Sequence, residues 1–336
     1  MRILLQLLFL SLPLIVLAQL GGCSCGFDCN NNSDGSSPAS LTLGMSDSTP
    51  EDLKQVVIEV DSITFRRSGA TPVVVDRFTI PAQNLVDAET FTIDLLQYPG
   101  VRQLEVIQNR ELATGNYTGV EIKVLDGSIS RSYVQLQDDS LREITVTNGV
   151  LVLPGMQLVS GTQRFVIEFG LARALQYQSG SDKYLLANTG VRVENVLTAA
   201  TLSGVVDSAL FDGVSPCSEK SNPLVGNRVY LYQGIGLLPE NLADVFTSTS
   251  TTTVPTNAKA PFAVASMADD IAGNWQYSFG FVPAGDYTLA FACDTQNDDA
   301  VNYDGLTIPL PVAQKYEISL SNSERAVCNL AEGASC

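Results

Sequence analysis

The sequence contains no histidine and a single tryptophan among its 336 residues. Without an imidazole, the chain cannot build a Ser-His-Asp triad, a Cys-His nucleophile pair, or a zinc or haem site that uses histidine. Basic residues are scarce as well: 19 Lys and Arg stand against 36 Asp and Glu and give a net charge of -17. Nucleic-acid binding needs clustered cations, so we expect no nucleic-acid partner. Composition thus removes several classes of function and favours none.

Apolar runs long enough to cross a membrane are confined to the N-terminus, where residues 3–20 follow the single charge of Arg2. This pattern predicts an export signal over residues 1–22. Residues 20–23 then read Leu-Gly-Gly-Cys, which resembles the lipobox of bacterial lipoproteins. The resemblance implies that Cys23 carries the lipid and becomes the first residue of the mature chain. An ordinary cleaved signal and an uncleaved membrane anchor are the alternatives.

The residues after the lipobox bear on localisation. Enteric bacteria retain lipoproteins in the inner membrane when Asp follows the cysteine, and here that residue is Ser24. The analogy implies a lipoprotein of the outer membrane, on its periplasmic or its surface face. Residues 23–40 are polar and lack a hydrophobic period, so they predict a flexible tether. Because an acidic chain repels anionic lipid, we expect the acyl group to provide the membrane contact.

Six cysteines remain once Cys23 is assigned to the lipid, and an even number in an exported chain predicts disulfides. We predict a bond between Cys217 and Cys293, which lie in one proposed domain. Cys328–Cys336 and Cys25–Cys29 are further candidate pairs. A zinc site is the alternative for Cys25 and Cys29, although two thiols without histidine partners make a poor one.

From residue 41 onward, apolar and polar residues alternate, β-branched residues dominate, and Gly, Pro, Asn and Asp separate the runs. These features predict an all-β chain of two antiparallel β-sandwich domains, immunoglobulin-like in general architecture, over residues 41–199 and 200–336. For residues 99–112 we predict a short helix instead.

One turn pattern occurs in both predicted domains. Gly115-Asn-Tyr117 and Gly285-Asp-Tyr287 each precede an alternating apolar strand. Glycine suits a tight turn, and the tyrosine enters the core on one face of the strand. The segment around Gly285 resembles the turn of transthyretin-like, or carboxypeptidase regulatory-like, sandwiches, where it has a structural role.

The segment from about residue 40 to 200 resembles an uncharacterised bacterial family, the domain of unknown function numbered 4382. The resemblance rests on strand patterns at residues 41–50, 56–63, 93–96, 115–117, 165–169, 184–186 and 191–193. That family is often followed by a transthyretin-like domain. Residues 201–330 resemble such a domain. The resemblance implies a surface or periplasmic lipoprotein of β-sandwich fold and implies no activity.

An acidic segment after a predicted strand is the best candidate for a ligand site. Calcium takes six to eight oxygen ligands, which alternating acids and amides can supply. The segment is not an EF-hand, because position 6 holds Asp299 rather than Gly. A solvated acidic turn is the alternative reading, and calcium is the one cofactor we consider. The candidate ligands are Asp294, Gln296, Asp298, Asp299, Asn302 and Asp304.

Aromatic residues alternate along the predicted strand that begins at Trp275. Core packing explains such a pattern, but an exposed strip of Trp275 and Tyr277 could stack against sugar rings or a protein partner. Overall we expect a non-enzymatic, lipid-anchored envelope protein with a binding or structural role in adhesion or assembly, and with a protein or glycan partner. The alternatives are a glycan-binding module that uses this strand, and a glycoside hydrolase that uses two carboxylates.

Overall fold

The computed structural model describes residues 37–48, 53–212, 215, 217–219, 224–269 and 274–336. The predicted export signal and Cys23, Cys25 and Cys29 lie outside these residues, so the predictions for them stay predictions. The predicted tether overlaps the first strand, which begins at Ala39. Within the described part of the chain, no helix is long and apolar enough to cross a membrane.

The first body of the fold comprises the strands from Ala39 to Asn195, together with one short helix, α1 (Leu171–Ala174). Its strands are β1 (Ala39–Ser48), β2 (Leu53–Arg66), β3 (Val73–Val75), β4 (Phe78–Ile80), β5 (Leu85–Ala88), β6 (Phe91–Asp94), β7 (Leu104–Leu112), β8 (Gly115–Val124), β9 (Tyr133–Leu136), β10 (Leu141–Val146), β11 (Val150–Leu158), β12 (Gly161–Gly170), β13 (Leu175–Gln178), β14 (Lys183–Leu186) and β15 (Val191–Asn195).

Two sheets of the first body pack face to face. One has the order β15-β12-β1-β7, and the other has the order β11-β8-β2-β9-β10-β14-β13, with β3 and β6 also paired to β2. Alternate residues of each strand point inward, so Leu43 of β1, Ile58 of β2, Ile122 of β8 and Ile167 of β12 meet in one core. This is the period-two pattern that the sequence shows.

The second body comprises the strands from Ala200 to Val327. They are β16 (Ala200–Val206), β17 (Arg228–Gln233), β18 (Ala263–Ser266), β19 (Ala268–Asp269), β20 (Trp275–Val282), β21 (Gly285–Ala292), β22 (Lys315–Leu320) and β23 (Arg325–Val327). Single turns of 3-10 helix in the two bodies cover Pro81–Gln83, Leu95–Gln97, Thr147–Gly149, Ser208–Leu210, Cys217–Glu219 and Pro239–Asn241.

Two four-stranded sheets form the second body, in the orders β19-β20-β16-β23 and β18-β17-β21-β22. Leu202 and Phe279 from the first of these sheets meet Leu289 and Phe291 from the other in a shared core. The outer face of the β18-β17-β21-β22 sheet is buried too, because Tyr230 and Tyr232 pack there against residues of the long loops. This doubly covered sheet supports the acidic segment.

The predicted all-β fold of sandwich type is confirmed. The helix predicted over residues 99–112 is wrong, because residues 104–112 form β7, which pairs antiparallel with β1. Leu104 and Val106 both enter the core, as a strand requires. Sheet pairing therefore decides the structure of a segment whose local sequence favours a helix.

The two bodies belong to one compact unit, Ser37–Cys336. The outer face of β1 and β12 is buried, with Ser46, Val166 and Glu168 all fully covered. The Arg173 guanidinium donates to the carbonyl of Phe262 in the second body at 3.1 Å. The Arg192 guanidinium lies 4.6 Å from the centre of the Phe262 ring. The bodies are therefore docked through specific contacts.

Candidate functional site

A cleft of about 350 Å³ lies where the two bodies meet. We name it the junction cleft. Its first wall comes from α1, β13 and β14 of the first body and includes Leu175, Tyr177 and Tyr184. Its second wall comes from the second body and includes Arg228 and residues 296–300. Part of the acidic segment, which the sequence indicates as a candidate ligand site, therefore lines a concave surface.

The first wall presents a pair of tyrosine rings. Tyr177 and Tyr184 are cross-strand partners of β13 and β14, and their ring centres lie 5.2 Å apart. Tyr177 is 53% exposed. Its hydroxyl donates to Asp182 at 3.0 Å, and Arg142 donates to the same carboxylate oxygen at 2.7 Å. The hydrogen bond to Asp182 raises the pKa of Tyr177, so the phenol stays protonated. The same bond holds the ring in place at the surface.

Asp298 anchors the second wall from beneath. Its carboxylate is fully buried. One oxygen accepts from the Tyr230 hydroxyl at 2.7 Å and lies 3.5 Å from Arg228, and the other accepts from the Val245 backbone at 3.0 Å. Burial raises the pKa of Asp298 to about 7. The side chain therefore fastens the acidic segment to the sheet.

The rest of the acidic segment is folded by its own hydrogen bonds. Asp299 Oδ1 accepts from the backbone of Val301 at 2.7 Å and of Asn302 at 2.8 Å. Asp304 Oδ2 accepts from the Asp299 backbone at 2.6 Å. Gln296 donates to Asp294 at 2.8 Å. These five predicted ligands thus take part in the internal structure of the segment.

The threonine-rich stretch of residues 247–256 holds the far end of this segment. Asn302 Oδ1 accepts from both the backbone and the hydroxyl of Thr251, at 2.9 and 2.8 Å. The Thr252 hydroxyl donates to the carbonyl of Tyr303 at 2.6 Å. These bonds hold a stretch of low-complexity composition against the acidic segment.

The structure describes the candidate calcium ligands without bringing them to one point. Among the described residues, no three Asp, Glu, Cys or His side chains are placed so that they could hold a metal ion. Asp299 lines the junction cleft and the Asp298 carboxylate is buried beneath it, whereas Asn302 contacts the threonine-rich stretch. Calcium binding at Asp294, Gln296, Asp298, Asp299, Asn302 and Asp304 stays a prediction.

A disulfide fixes the base of the acidic segment. Cys217 is bonded to Cys293, the residue that follows β21 and precedes Asp294. Cys328 is bonded to Cys336 near the end of the chain. Both predicted pairs are confirmed. The segment therefore starts from a covalently fixed point in the core.

The exposed aromatic strip considered as the alternative to core packing along β20 does not form on the surface. Tyr277 is 2% exposed and donates its hydroxyl to the Cys328 carbonyl at 2.7 Å, so this residue is corrected from a binding surface to the core. Inward-facing residues of a strand pack against the opposing sheet, which is the physical reason. Trp275 is partly exposed and lines a second groove, of about 620 Å³, with Asp207, Asp212 and Asn329.

Glu168 is the other acid with a strongly altered environment. It lies between Ser46 of β1 and Arg192 of β15 in register, and it accepts a hydrogen bond from the Ser46 hydroxyl. Burial raises the pKa of Glu168 to about 7, against the opposing effect of Arg192. Like Asp298, it is enclosed, so neither carboxyl is presented to a substrate.

Sequence reasoning found the second wall of the junction cleft and missed the first. Tyr177 and Tyr184 fall in separate short segments, and no local pattern marks them as neighbours. Their pairing follows from the β13–β14 register, and their role in a cleft follows from the docking of the second body. The sequence signal that could have found them is the turn-forming run Ser-Gly-Ser-Asp over residues 179–182, which separates two short segments that each contain a tyrosine.

Residues 38–187 match the family described as "Domain of unknown function (DUF4382)". The resemblance inferred from the strand patterns is therefore confirmed over this part of the chain. No curated protein matches the sequence.

Three solved structures illustrate the structural comparison. The Bacillus anthracis TIE protein is 13% identical with a TM-score of 0.18, and the match covers 87% of this chain and 33% of that one. The major pilin subunit of Bacillus cereus is 9% identical with a TM-score of 0.17, over 87% and 70%. The shaft pilin of Lactobacillus rhamnosus is 10% identical with a TM-score of 0.20, over 88% and 98%. The chain spans a third of the Bacillus anthracis protein, and TM-scores of this size do not establish a shared fold.

Proposed function

We propose that this chain is an exported cell-envelope protein that acts by binding or structural contact rather than by catalysis. The observation that carries the proposal is the pair of disulfides in the second body. Structural disulfides form and persist in oxidising compartments outside the cytoplasm. They fit the export signal and lipobox of the sequence, which favour anchoring of Cys23 in the outer membrane.

The described acids support a role without catalysis. A hydrolase of the two-carboxylate type needs an acid of raised pKa that can reach its substrate. The two acids whose pKa burial raises to about 7, Glu168 and Asp298, are both enclosed. Asp298 uses both oxygens to hold the acidic segment. Adhesion or envelope assembly suits such a scaffold better than turnover.

The second body, in this proposal, is a transthyretin-like sandwich. Its two four-stranded sheets and the turn at Gly285 support that assignment, because the Tyr287 hydroxyl donates to the carbonyl of Pro283 at 2.9 Å and closes the turn. Such a module presents its loops from a stiff scaffold.

Metabolic labelling with an alkyne analogue of palmitate tests the anchored, exported role. The wild-type chain should take up label and sediment with membranes. Cys23→Ser should lose both properties, because no thiol remains in the lipobox. Cys25→Ser is the matched control and should keep both. Label that persists in Cys23→Ser, or an unlabelled wild type, would overturn the proposed anchor.

A glycan-binding role is the second candidate function. It is favoured by the exposed and ordered Tyr177 ring in the junction cleft, since aromatic rings are common platforms for ligands that have one apolar face.

A further inference from the structure

We propose that the junction cleft is a binding site for a neutral saccharide. The inference rests on the proposed binding role and names its ligand class. The cleft has three properties that together select such a ligand: an aromatic platform, a facing wall of planar polar side chains, and the lack of an unpaired cationic group among its described lining residues.

The aromatic platform is the tyrosine pair of the first wall. A pyranose ring presents C–H groups on its faces and hydroxyls at its rim, so it packs on an exposed aromatic ring while its hydroxyls remain free to hydrogen-bond. Tyr177 offers such a face, and Asp182, which itself accepts from Arg142, holds its hydroxyl. A ring that is already ordered loses little conformational entropy when a ligand stacks on it.

The facing wall supplies hydrogen-bonding groups. Gln296, Asn297 and Asp299 are exposed and line the cleft opposite the tyrosines. Side-chain amides and a carboxylate can donate to and accept from vicinal hydroxyls. Asp299 has a fixed position, because its Oδ1 accepts two backbone bonds. The wall thus presents polar groups to the same cleft of about 350 Å³ that the tyrosine rings line, and one of them, Asp299, is held in position.

Charge decides between a neutral and an anionic ligand. The Arg228 side chain is only 14% exposed and lies 3.5 Å from the buried Asp298 carboxyl, so the cation of the lining is held within the wall rather than offered to a ligand. Asp299 adds a negative charge, and the whole chain carries a net charge of -17. An anionic sugar or a phosphate would be repelled, whereas a neutral saccharide would not.

The cleft also explains why a ligand would matter to the molecule. Its rings belong to the first body and its polar groups to the second. A saccharide held by both walls would bind the docked arrangement alone, so it should stabilise that arrangement by mass action.

Calorimetric titration of the full-length chain in detergent tests the proposal. The probes are maltohexaose, cellohexaose and chitohexaose as neutral saccharides, polygalacturonate as an anionic one, and a lysine-rich peptide as a cationic partner. We expect saturable binding of at least one neutral saccharide. Tyr177→Ala should weaken it by at least about tenfold, whereas Tyr177→Phe should keep most of it because the ring remains.

Trp275→Ala is the matched control, since it removes an aromatic side chain from the other groove. Thermal unfolding shows whether each variant is folded, and Asn297→Ala gives an independent change on the opposite wall that should also weaken binding. Binding of none of the neutral saccharides, Tyr177-dependent binding of the anionic or peptide probe, or loss with Trp275→Ala instead of Tyr177→Ala would each overturn the proposal. The palmitate experiment fails or succeeds independently of these results, so the two proposals can be separated.

Discussion

Glu168 shows how one residue connects the sequence to the docking of two bodies. Its neighbours Val166 and Ser46 are buried with it on the outer face of the β15-β12-β1-β7 sheet, a face that would be solvated if the first body stood alone. A carboxyl placed there is desolvated only because the second body covers it. This is why burial raises the pKa of Glu168.

We predict that the free energy of unfolding falls as pH rises from about 4.5 to about 7. The folded-state pKa of Glu168 is raised from 4.5 to about 7, so the folded chain holds more protons than the unfolded chain in this window. Stability then decreases with increasing pH. Asp298, raised from 3.8 to about 7, acts in the same direction.

Glu168→Gln should flatten this dependence by on the order of 1–3 kcal/mol, because the amide keeps an acceptor for Ser46 and never ionises. Urea unfolding at pH 5 and pH 8 measures the difference. Glu89→Gln is the control, since it removes an exposed carboxyl that pairs with Arg77. Equal pH slopes in wild type and Glu168→Gln would contradict the assignment.

At the scale of elements, the repeated turn was readable from sequence. Gly115 has a φ of +131°, a region that glycine tolerates, and the Tyr117 hydroxyl donates to the Ala113 carbonyl at 2.9 Å. Tyr287 makes the equivalent bond to Pro283 at the same distance. Local patterns that carry their own hydrogen bond are predictable, because the partner lies four residues away.

Elements whose structure depends on distant pairing were not readable in the same way. Residues 104–112 become a strand because β1 lies beside them. Tyr277 enters the core because an opposing sheet covers its face. Alternation marks a strand, but it does not say which face meets a second layer.

The two disulfides make a prediction at this scale. Cys217–Cys293 closes a loop of sequence separation 76, and Cys328–Cys336 closes one of separation 8. By the entropy of loop closure, loss of the first should cost about 4.5 kcal/mol and loss of the second about 2.5 kcal/mol. Urea unfolding of Cys217→Ala with Cys293→Ala, compared with Cys328→Ala with Cys336→Ala, measures both. A larger loss from the shorter loop would show that native packing, not loop closure, sets the effect.

At the scale of the whole molecule, sequence indicated a change of sheets near residue 200 but not how the two bodies meet. The sheets on either side of this point draw on separate stretches of chain, and each has its own core. Docking depends on Arg173, Arg192 and Phe262, and no pattern in the sequence marks these residues as a contact between the two bodies. The junction cleft has one wall from each body, and the sequence therefore indicated only the wall that the acidic segment forms.

A close contact between the backbones of the two bodies predicts what would separate them. A Cβ on Gly280 of the second body would lie 2.1 Å from the carbonyl oxygen of Gly100 in the first. Gly280→Ala must push these backbones apart, so it should lower the free energy of unfolding by about 1–3 kcal/mol. It should also raise hydrogen exchange along β1 and β12, whose outer faces the second body covers.

Two control variants separate this effect from a general loss of stability. Gly180→Ala adds a methyl group where nothing lies within 4 Å and should change neither measurement. Gly204→Ala adds one 1.8 Å from the carbonyl oxygen of Cys328, inside the second body, and should destabilise that body without a selective rise in exchange along β1. If hydrogen exchange along β1 and β12 is the same in Gly280→Ala as in Gly204→Ala, the contact at Gly100 does not hold the bodies together. A saccharide that binds both walls of the junction cleft should partly reverse the effect of Gly280→Ala, because it favours the docked arrangement.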